Sequence, residues 1–317
     1  SPAVAYDFIN DRFLIVWVEH YCVDFVPEVC ADVIRGQLTY AYEAEEPEFL
    51  IGEPFMIAAD IRNGEPSFDY GLPAIAFNEQ DGEFAVVFTR RSQDPASTDV
   101  NLYAQMIEAD ESDPLVLGPA EGIVVRDTAG RVYSDPAIAW SDELSETFLI
   151  ASTVYNADTA EYYAAVFYML DVYQLIFPQF PGGWKIAPYD EGSYPLTGNC
   201  SKPSVAYDSL NQAFVVAFRH EEPARRSSPD VGEVYTIYGQ RLRPVFDEND
   251  FTYDGELAFP LETDLDSLPG TSYDEVVIRS AGLPGELALL TQVSYLQVPE
   301  GTSYWLNFRS LSGTSAG

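Results

Sequence analysis

The sequence contains few of the residues that form basic surfaces, metal centres and redox sites. Its 317 residues include two lysines, two histidines and three cysteines, and 51 acidic residues outnumber 16 basic ones to give a formal net charge of −35. Such a surface repels phosphate backbones and anionic lipid headgroups. No run of eighteen apolar residues occurs, so the sequence predicts no membrane insertion. Nucleic acid is therefore not expected as a partner, whereas cations, proteins and neutral glycans remain open.

Helical periodicity is missing too. No segment has apolar residues at helical spacing with a cap, and 22 prolines and 21 glycines interrupt the chain at short intervals. Hydrophobic residues make up 47% of the chain, which is enough for a substantial core. These features predict an all-β protein.

A six-residue phrase that begins with proline recurs four times and is the clearest signal in the chain. After each copy and a short polar turn comes a second apolar run, such as Phe13–Trp17. A unit that recurs at a fixed interval indicates a repeat architecture. The copies are Pro2–Asp7, Pro73–Asn78, Pro136–Ser141 and Pro203–Asp208.

Each unit has the pattern of four short strands. The third strand carries a second phrase, a small residue followed by Gln, as in Gly36-Gln37 and Gly239-Gln240, and the small residue indicates close approach by a neighbour. A weaker fifth unit begins near residue 273. Four-stranded units repeated five times predict a β-propeller of five antiparallel blades rather than a string of larger β-sandwiches. We expect one domain over residues 1–317, with approximate units 1–70, 71–134, 135–201, 202–272 and 273–317.

The repeated phrases resemble the propeller-type repeats of large secreted or cell-surface microbial proteins. The resemblance is good in units one, two and four, partial in unit three and poor in unit five. It implies an extracellular or cell-surface binding or scaffolding module and carries no catalytic set.

Two of the three cysteines lie close together. Cys22 and Cys30 flank one loop between two predicted strands, and this spacing favours a disulfide and an oxidising compartment. Free thiols and a metal site remain alternatives, although only His20 lies near as a further ligand. Cys200 is expected to be a buried free thiol, and His20 and His220 to be exposed loop residues.

Carboxylates at the ends of the first strands offer an enzymatic alternative. Five-bladed propellers include glycoside hydrolases, which need two carboxyl groups facing each other. Asp7 and Asp208 are the candidates, but Asp at the end of a strand more often binds the backbone of a turn. The main interpretation therefore assigns no catalytic residues, and the alternative is a glycoside hydrolase or glycan-binding lectin that uses the axial cavity.

The third unit departs from the repeat by its aromatic content. Exposed aromatic side chains anchor protein interfaces and stack on sugars, so this unit predicts a binding surface for a protein neighbour, a second copy of the chain or a glycan. We expect a non-enzymatic binding or assembly module without a cofactor, although the acidic turns leave calcium binding open. The predicted surface consists of Tyr162, Tyr163, Phe177, Phe180 and Trp184.

Overall fold

The computed structural model is all-β, and the residues that it describes include 24 strands and no helix. Among these residues no helix is long and apolar enough to cross a membrane. The described residues are 2–23, 29–41, 50–62, 65–108, 114–141, 144, 147–171, 174–176, 184–186, 198–221, 235–245, 250–253, 259–260, 271–280, 286–297 and 301–312.

The strands form five successive antiparallel units, which are the blades of a propeller, and blades 2 and 3 are joined into one sheet by a single parallel pairing of Val132 with Val100. Blade 1 contains β1 (Ala3–Asp7), β2 (Arg12–Val23), β3 (Val29–Tyr40) and β4 (Leu50–Ala58), and β5 (Ile61–Arg62) and β6 (Glu65–Pro66) follow it. Blade 2 contains β7 (Phe68–Asn78), β8 (Glu83–Ser92), β9 (Val100–Glu108), β10 (Leu115–Leu117) and β11 (Ile123–Arg126). Blade 3 contains β12 (Arg131–Ser141), β13 (Thr147–Asn156), β14 (Glu161–Asp171), β15 (Gln174–Ile176) and β16 (Trp184–Ile186). Blade 4 contains β17 (Cys200–Asp208), β18 (Ala213–Glu221), β19 (Tyr235–Val245), β20 (Asp250–Tyr253) and β21 (Phe259–Pro260). Blade 5 contains β22 (Thr271–Ser280), β23 (Glu286–Gln297) and β24 (Gly301–Ser312).

The repeated phrase aligns the first two strands of a blade. Its aromatic residue lies directly across from the first Phe of the next strand, with Tyr6 opposite Phe13 and Phe77 opposite Phe84. The ring centroids are 4.8 and 4.9 Å apart in these two pairs. Because aromatic cross-strand pairs stabilise a register, this contact aligns the hairpin. Trp140–Phe148 in blade 3 and Tyr207–Phe214 in blade 4 repeat it.

The core lies between blades rather than within any one of them. The small alanines of one phrase face the large residues of the next, so that Ala3 and Ala5 pack in the cluster that contains Ile75. Alternation along a strand explains this pairing, because successive side chains point to opposite faces. Four apolar clusters join blade 1 to 2, 2 to 3, 3 to 4 and 4 to 5.

The third-strand phrase packs as its residue types predict. A Cβ atom at Gly36 would lie 2.7 Å from Ile57 Cδ1, so only glycine fits there without a shift of the neighbour. The adjacent Gln37 is buried, and its Nε2 donates to the carbonyl oxygens of Leu38 and Ile51 at 2.9 and 3.0 Å. These bonds satisfy backbone groups where the pairing of β3 with β4 shifts register.

The cysteines lie as the sequence predicts. Cys22 and Cys30 face each other across β2 and β3 and form a disulfide, and Cys200 is a buried free thiol. Burial raises the pKa of the Cys200 thiol to about 12, so it stays protonated near neutral pH. Of the two histidines, His20 is exposed as predicted but lies in strand β2 rather than in a loop, and the prediction for His220 is wrong. Its side chain is buried at the edge of the Tyr238 ring because it belongs to strand β18 rather than to a loop.

Candidate functional site

The inner strands of the blades, β1, β7, β12, β17 and β22, have two ends with different chemistry. The hairpin end contains the carboxylates that the sequence singles out. Asp7 is fully buried, its Oδ1 accepts hydrogen bonds from the backbone N–H groups of Ile9 and Asn10 at 3.0 Å, and its Oδ2 binds Arg12 Nε at 2.9 Å. Asp208 is also buried and accepts from the backbone N–H and the side-chain amide of Asn211 at 3.2 and 2.7 Å.

Equivalent residues of the other blades make the same turn bonds. Asn78 Oδ1 accepts from the backbone N–H of Gln80 at 2.9 Å, and Ser141 Oγ accepts from that of Leu144 at 3.1 Å. All four side chains therefore hold the backbone of a turn, which is the ordinary role of Asp, Asn and Ser at such positions. The bonds of Asp7 and Asp208 account for both carboxylates without a substrate.

The half of the inner strand that lies away from the hairpin contains a β-bulge in each of blades 2 to 5, and this half is called the bulged end. The sequence places the start of the strand at the proline of the phrase, whereas β7, β12 and β17 begin several residues earlier and contain that proline. Because proline lacks an N–H group, pairing with the second strand is interrupted there. The register of the pairing shifts across Leu72-Pro73, Asp135-Pro136, Lys202-Pro203 and Asp274.

Two of these bulges force a residue other than glycine into the left-handed region. Asp135 has a φ of 48° and Lys202 a φ of 50°. The other residues of this kind among those that the structure describes, Asp11, Ala160 and Gln212, lie in hairpin turns. Backbone strain of this kind concentrates at functional sites, and bulges often lie beside them.

Hydroxyl groups fix the two strained bulges. Ser152 Oγ donates to the carbonyl oxygen of Ser134 at 2.7 Å, and Ser134 Oγ donates to Asp135 Oδ2 at 3.0 Å. Thr153, the cross-strand partner of Ser134, accepts from the backbone N–H of Lys202 at 2.8 Å. The bulges of blades 3 and 4 are thus connected through one buried threonine.

A similar contact connects blade 4 to blade 5. Ser204 stands where the other phrases have alanine, and its Oγ accepts hydrogen bonds from the backbone N–H of Ile278 and from Arg279 at 3.0 and 3.2 Å. The strand registers place Asp135, Lys202 and Asp274 in bulges on three successive inner strands. Along the series of inner strands, one acidic residue therefore comes before the lysine and one comes after it.

An aromatic pair lies at the same end of blade 3. Tyr155 and Tyr162 flank the turn between β13 and β14, with ring centroids 4.8 Å apart, and Tyr162 is 45% exposed. The turn is held by Arg131, which donates to Asn156 and lies 3.2 Å from Asp158. An exposed tyrosine of this kind presents an apolar ring and a polar hydroxyl to a ligand.

The structure separates the predicted aromatic surface. Tyr162 is exposed, but the next residue, Tyr163, points to the opposite face and is buried in the core between blades 2 and 3. Burial raises the pKa of Tyr163, which keeps its hydroxyl protonated. Trp184 packs against the core between blades 3 and 4, and Phe177 and Phe180 lie outside the described residues. The acidic turns proposed for calcium lie largely outside them as well.

No protein-family model matches the sequence, and no curated protein matches it. Solved structures do share its fold. An N-acetylgalactosamine deacetylase from F. plautii, in complex with blood group B trisaccharide, is 11% identical, with a TM-score of 0.51 over 98% of this chain and 89% of that one. A sucrose-6-phosphate hydrolase from Lactobacillus gasseri is 12% identical, with a TM-score of 0.49 over 98% of this chain and 58% of that one. An α-L-arabinofuranosidase from Lactobacillus brevis is 9% identical, with a TM-score of 0.44 over 97% of this chain and 89% of that one.

These likenesses, all below 25% identity, concern the fold. The predicted propeller is confirmed. The prediction of a non-enzymatic binding or assembly module is wrong, because the first of these structures, which shares the fold over nearly the whole chain, is an enzyme solved with a carbohydrate bound. The sequence missed this because it directs attention to the hairpin end, where the conspicuous Asp residues hold turns.

Proposed function

We propose that this chain is a carbohydrate-active propeller that binds a glycan at the bulged end of its inner strands and hydrolyses a glycosidic bond there. The observation that carries the proposal is the pair of strained bulges at Asp135 and Lys202, which no turn requires. The bound trisaccharide in the deacetylase of similar fold supports a carbohydrate ligand.

The residue types at the bulged end suit this chemistry. Hydrolysis of a glycoside needs two carboxyl groups, one as acid and the other as base or nucleophile. Asp135 supplies one carboxyl group from the inner strand of blade 3, and Lys202 adds a positive charge on the next inner strand. Asp274 occupies the bulge of the inner strand two blades from Asp135 and is the candidate for the second carboxyl group. The Tyr155–Tyr162 pair offers an aromatic face on which a sugar ring stacks.

The net charge of the protein limits the range of possible substrates. A net charge of −35 repels uronic acids, sialic acids and sulfated sugars, so the proposed substrate is a neutral glycan. The Cys22–Cys30 disulfide suits an oxidising compartment, and we extend the proposal to an extracellular or cell-surface location, as in the microbial proteins that the repeats resemble.

Asp135→Asn tests the proposal, because it removes the charge and keeps a residue that tolerates a positive φ. We expect release of sugar from neutral aryl glycosides or oligosaccharides to fall about 100- to 10,000-fold in kcat, the range for loss of a general acid or base. The matched control is Asp11→Asn, another left-handed Asp, at the hairpin end, with a φ of 54°. Equal activity of wild type and Asp135→Asn on every substrate that the wild type cleaves would contradict the assignment.

A further inference from the structure

The β2–β3 hairpin of blade 1 presents four potential metal ligands on one face. His20 lies directly across from Asp32 and Cys22 directly across from Cys30, so two adjacent cross-strand pairs are stacked along the hairpin. Residues two apart on a strand point to the same side. The sequence pattern is His20-x-Cys22 on one strand and Cys30-x-Asp32 on the other.

The ligand atoms of this face are close together. His20 Nδ1 lies 2.9 Å from Asp32 Oδ1, and one ligand atom from each of His20, Cys22 and Cys30 lies within 4.8 Å of the others. A tetrahedral zinc ion with bonds of about 2.0–2.3 Å holds its ligands about 3.3–3.8 Å apart. The imidazole and carboxylate are open to solvent, with side-chain exposures of 66% and 44%, so an ion can reach them.

Second contacts hold the β3 side of this face against blade 2. Gln93 Nε2 donates to the carbonyl oxygen of Cys30 at 3.1 Å and to Asp69 Oδ1 at 2.9 Å. Asp69 Oδ1 in turn accepts from the backbone N–H of Asp32 at 3.3 Å. Because these bonds reach the backbone of Cys30 and Asp32, they fix the position of this part of β3 beside blade 2.

We propose that this face is a redox-dependent zinc site, formed by Cys22, Cys30, His20 and Asp32 when the disulfide is reduced. Reduction by a dithiol adds two electrons and two protons to the disulfide and gives two thiols, while the dithiol becomes a disulfide. Zinc then binds the two thiolates, the neutral imidazole and the carboxylate, and the two thiol protons are released. Reoxidation by a disulfide oxidant re-forms the Cys22–Cys30 bond and releases the ion.

The sequence leaves a metal site only as an alternative, because a zinc centre needs four ligands and only Cys22, Cys30 and His20 stand out. Asp32 belongs to the set only through the register that places it across from His20. The net charge of −35 further favours a divalent cation at an exposed position.

Titration of the reduced full-length protein with Co²⁺ under anaerobic conditions tests the site, with Zn²⁺ as competitor. We expect one equivalent of Co²⁺ to give the thiolate-to-cobalt charge-transfer band of a tetrahedral site, and Zn²⁺ to abolish it. Cys22→Ser should lose the band. Cys200→Ala, which removes the remaining thiol, should keep it.

Loss of the other two ligands should weaken binding. His20→Ala and Asp32→Ala should each lower Co²⁺ affinity at least about tenfold, since even surrounding partners of a ligand contribute that much. A melting curve of the reduced protein checks that each variant is folded, and Zn²⁺ should raise the midpoint of the wild type. Absence of the band in the folded, reduced wild type would overturn the proposal, as would unchanged affinity in both His20→Ala and Asp32→Ala.

Discussion

Gly198 is the residue at which the backbone beside the candidate site is most constrained. Its φ is 143°, and a Cβ atom there would lie 2.3 Å from the carbonyl oxygen of Glu221 and 2.8 Å from His220 Nε2. The following residue, Asn199, connects two elements, because its Oδ1 accepts from the backbone N–H of Tyr162 and its Nδ2 donates to Glu221. A side chain at position 198 would therefore disturb the base of the Tyr155–Tyr162 pair.

We expect Gly198→Ala to be markedly destabilising. The control is Gly82→Ala, since Gly82 also has a positive φ, 72°, but a Cβ atom there meets nothing within 4 Å. The left-handed conformation alone costs about 1–2 kcal/mol, and overpacking adds about 1–3 kcal/mol in the Gly198 variant. Urea denaturation measures the free energy of unfolding of both variants. Equal losses would contradict the prediction, because they would show that the neighbours of Gly198 accommodate a Cβ atom without loss of stability.

The role of a residue can be predicted from the sequence only where its contacts are made with residues close to it in the chain. Asp7 and Asp208 end a strand before a short polar turn, and their bonds to that turn are those that Asp makes in such places. The burial of Cys200 is predictable in the same way, because it follows from the apolar strand that contains it. The strain at Asp135 is different, since it depends on how β12 pairs with β13.

At the scale of single strands, the buried glutamine of the third strand makes a testable contribution. Gln105 is fully buried, and its Nε2 donates to the carbonyl oxygen of Leu117 at 2.7 Å, where β9 passes from pairing with β10 to pairing with β11. We expect Gln105→Leu to lower the free energy of unfolding by about 1–3 kcal/mol, because it leaves a partly buried carbonyl without its donor. Thermal or urea unfolding gives the value, and an unchanged stability would show that this carbonyl finds another donor.

The strands themselves are largely predictable from the sequence, and their irregularities are not. The repeated aromatic and alanine positions predict β1, β7, β12 and β17. The near-continuous apolar runs that follow predict their partner strands, because that pattern is typical of a strand covered on both faces. In blades 2, 3 and 4 the bulges lie at the proline that was expected to start each strand. A proline at a fixed position preceded by a variable residue is the signal that could have revealed them, since it marks a break in the ladder.

At the scale of the whole molecule, the sequence predicts the architecture but not the site of activity. Repetition predicts a propeller, because a unit that cannot bury its own faces must stack against its neighbours. The proposed site lies where the units differ, because Leu72, Asp135, Lys202 and Asp274 are different residue types at comparable bulges. A pattern found by similarity between units cannot locate a site that depends on their differences.

Hydrogen–deuterium exchange with and without a bound neutral oligosaccharide tests the central claim most directly, because it locates the ligand on the propeller. We expect slower exchange at the bulged end, in residues 131–136 and 199–204, together with the turn 156–161. The hairpin end, in residues 8–11 and 209–212, should exchange at an unchanged rate. Protection confined to the hairpin end, with none at the bulges, would contradict the account.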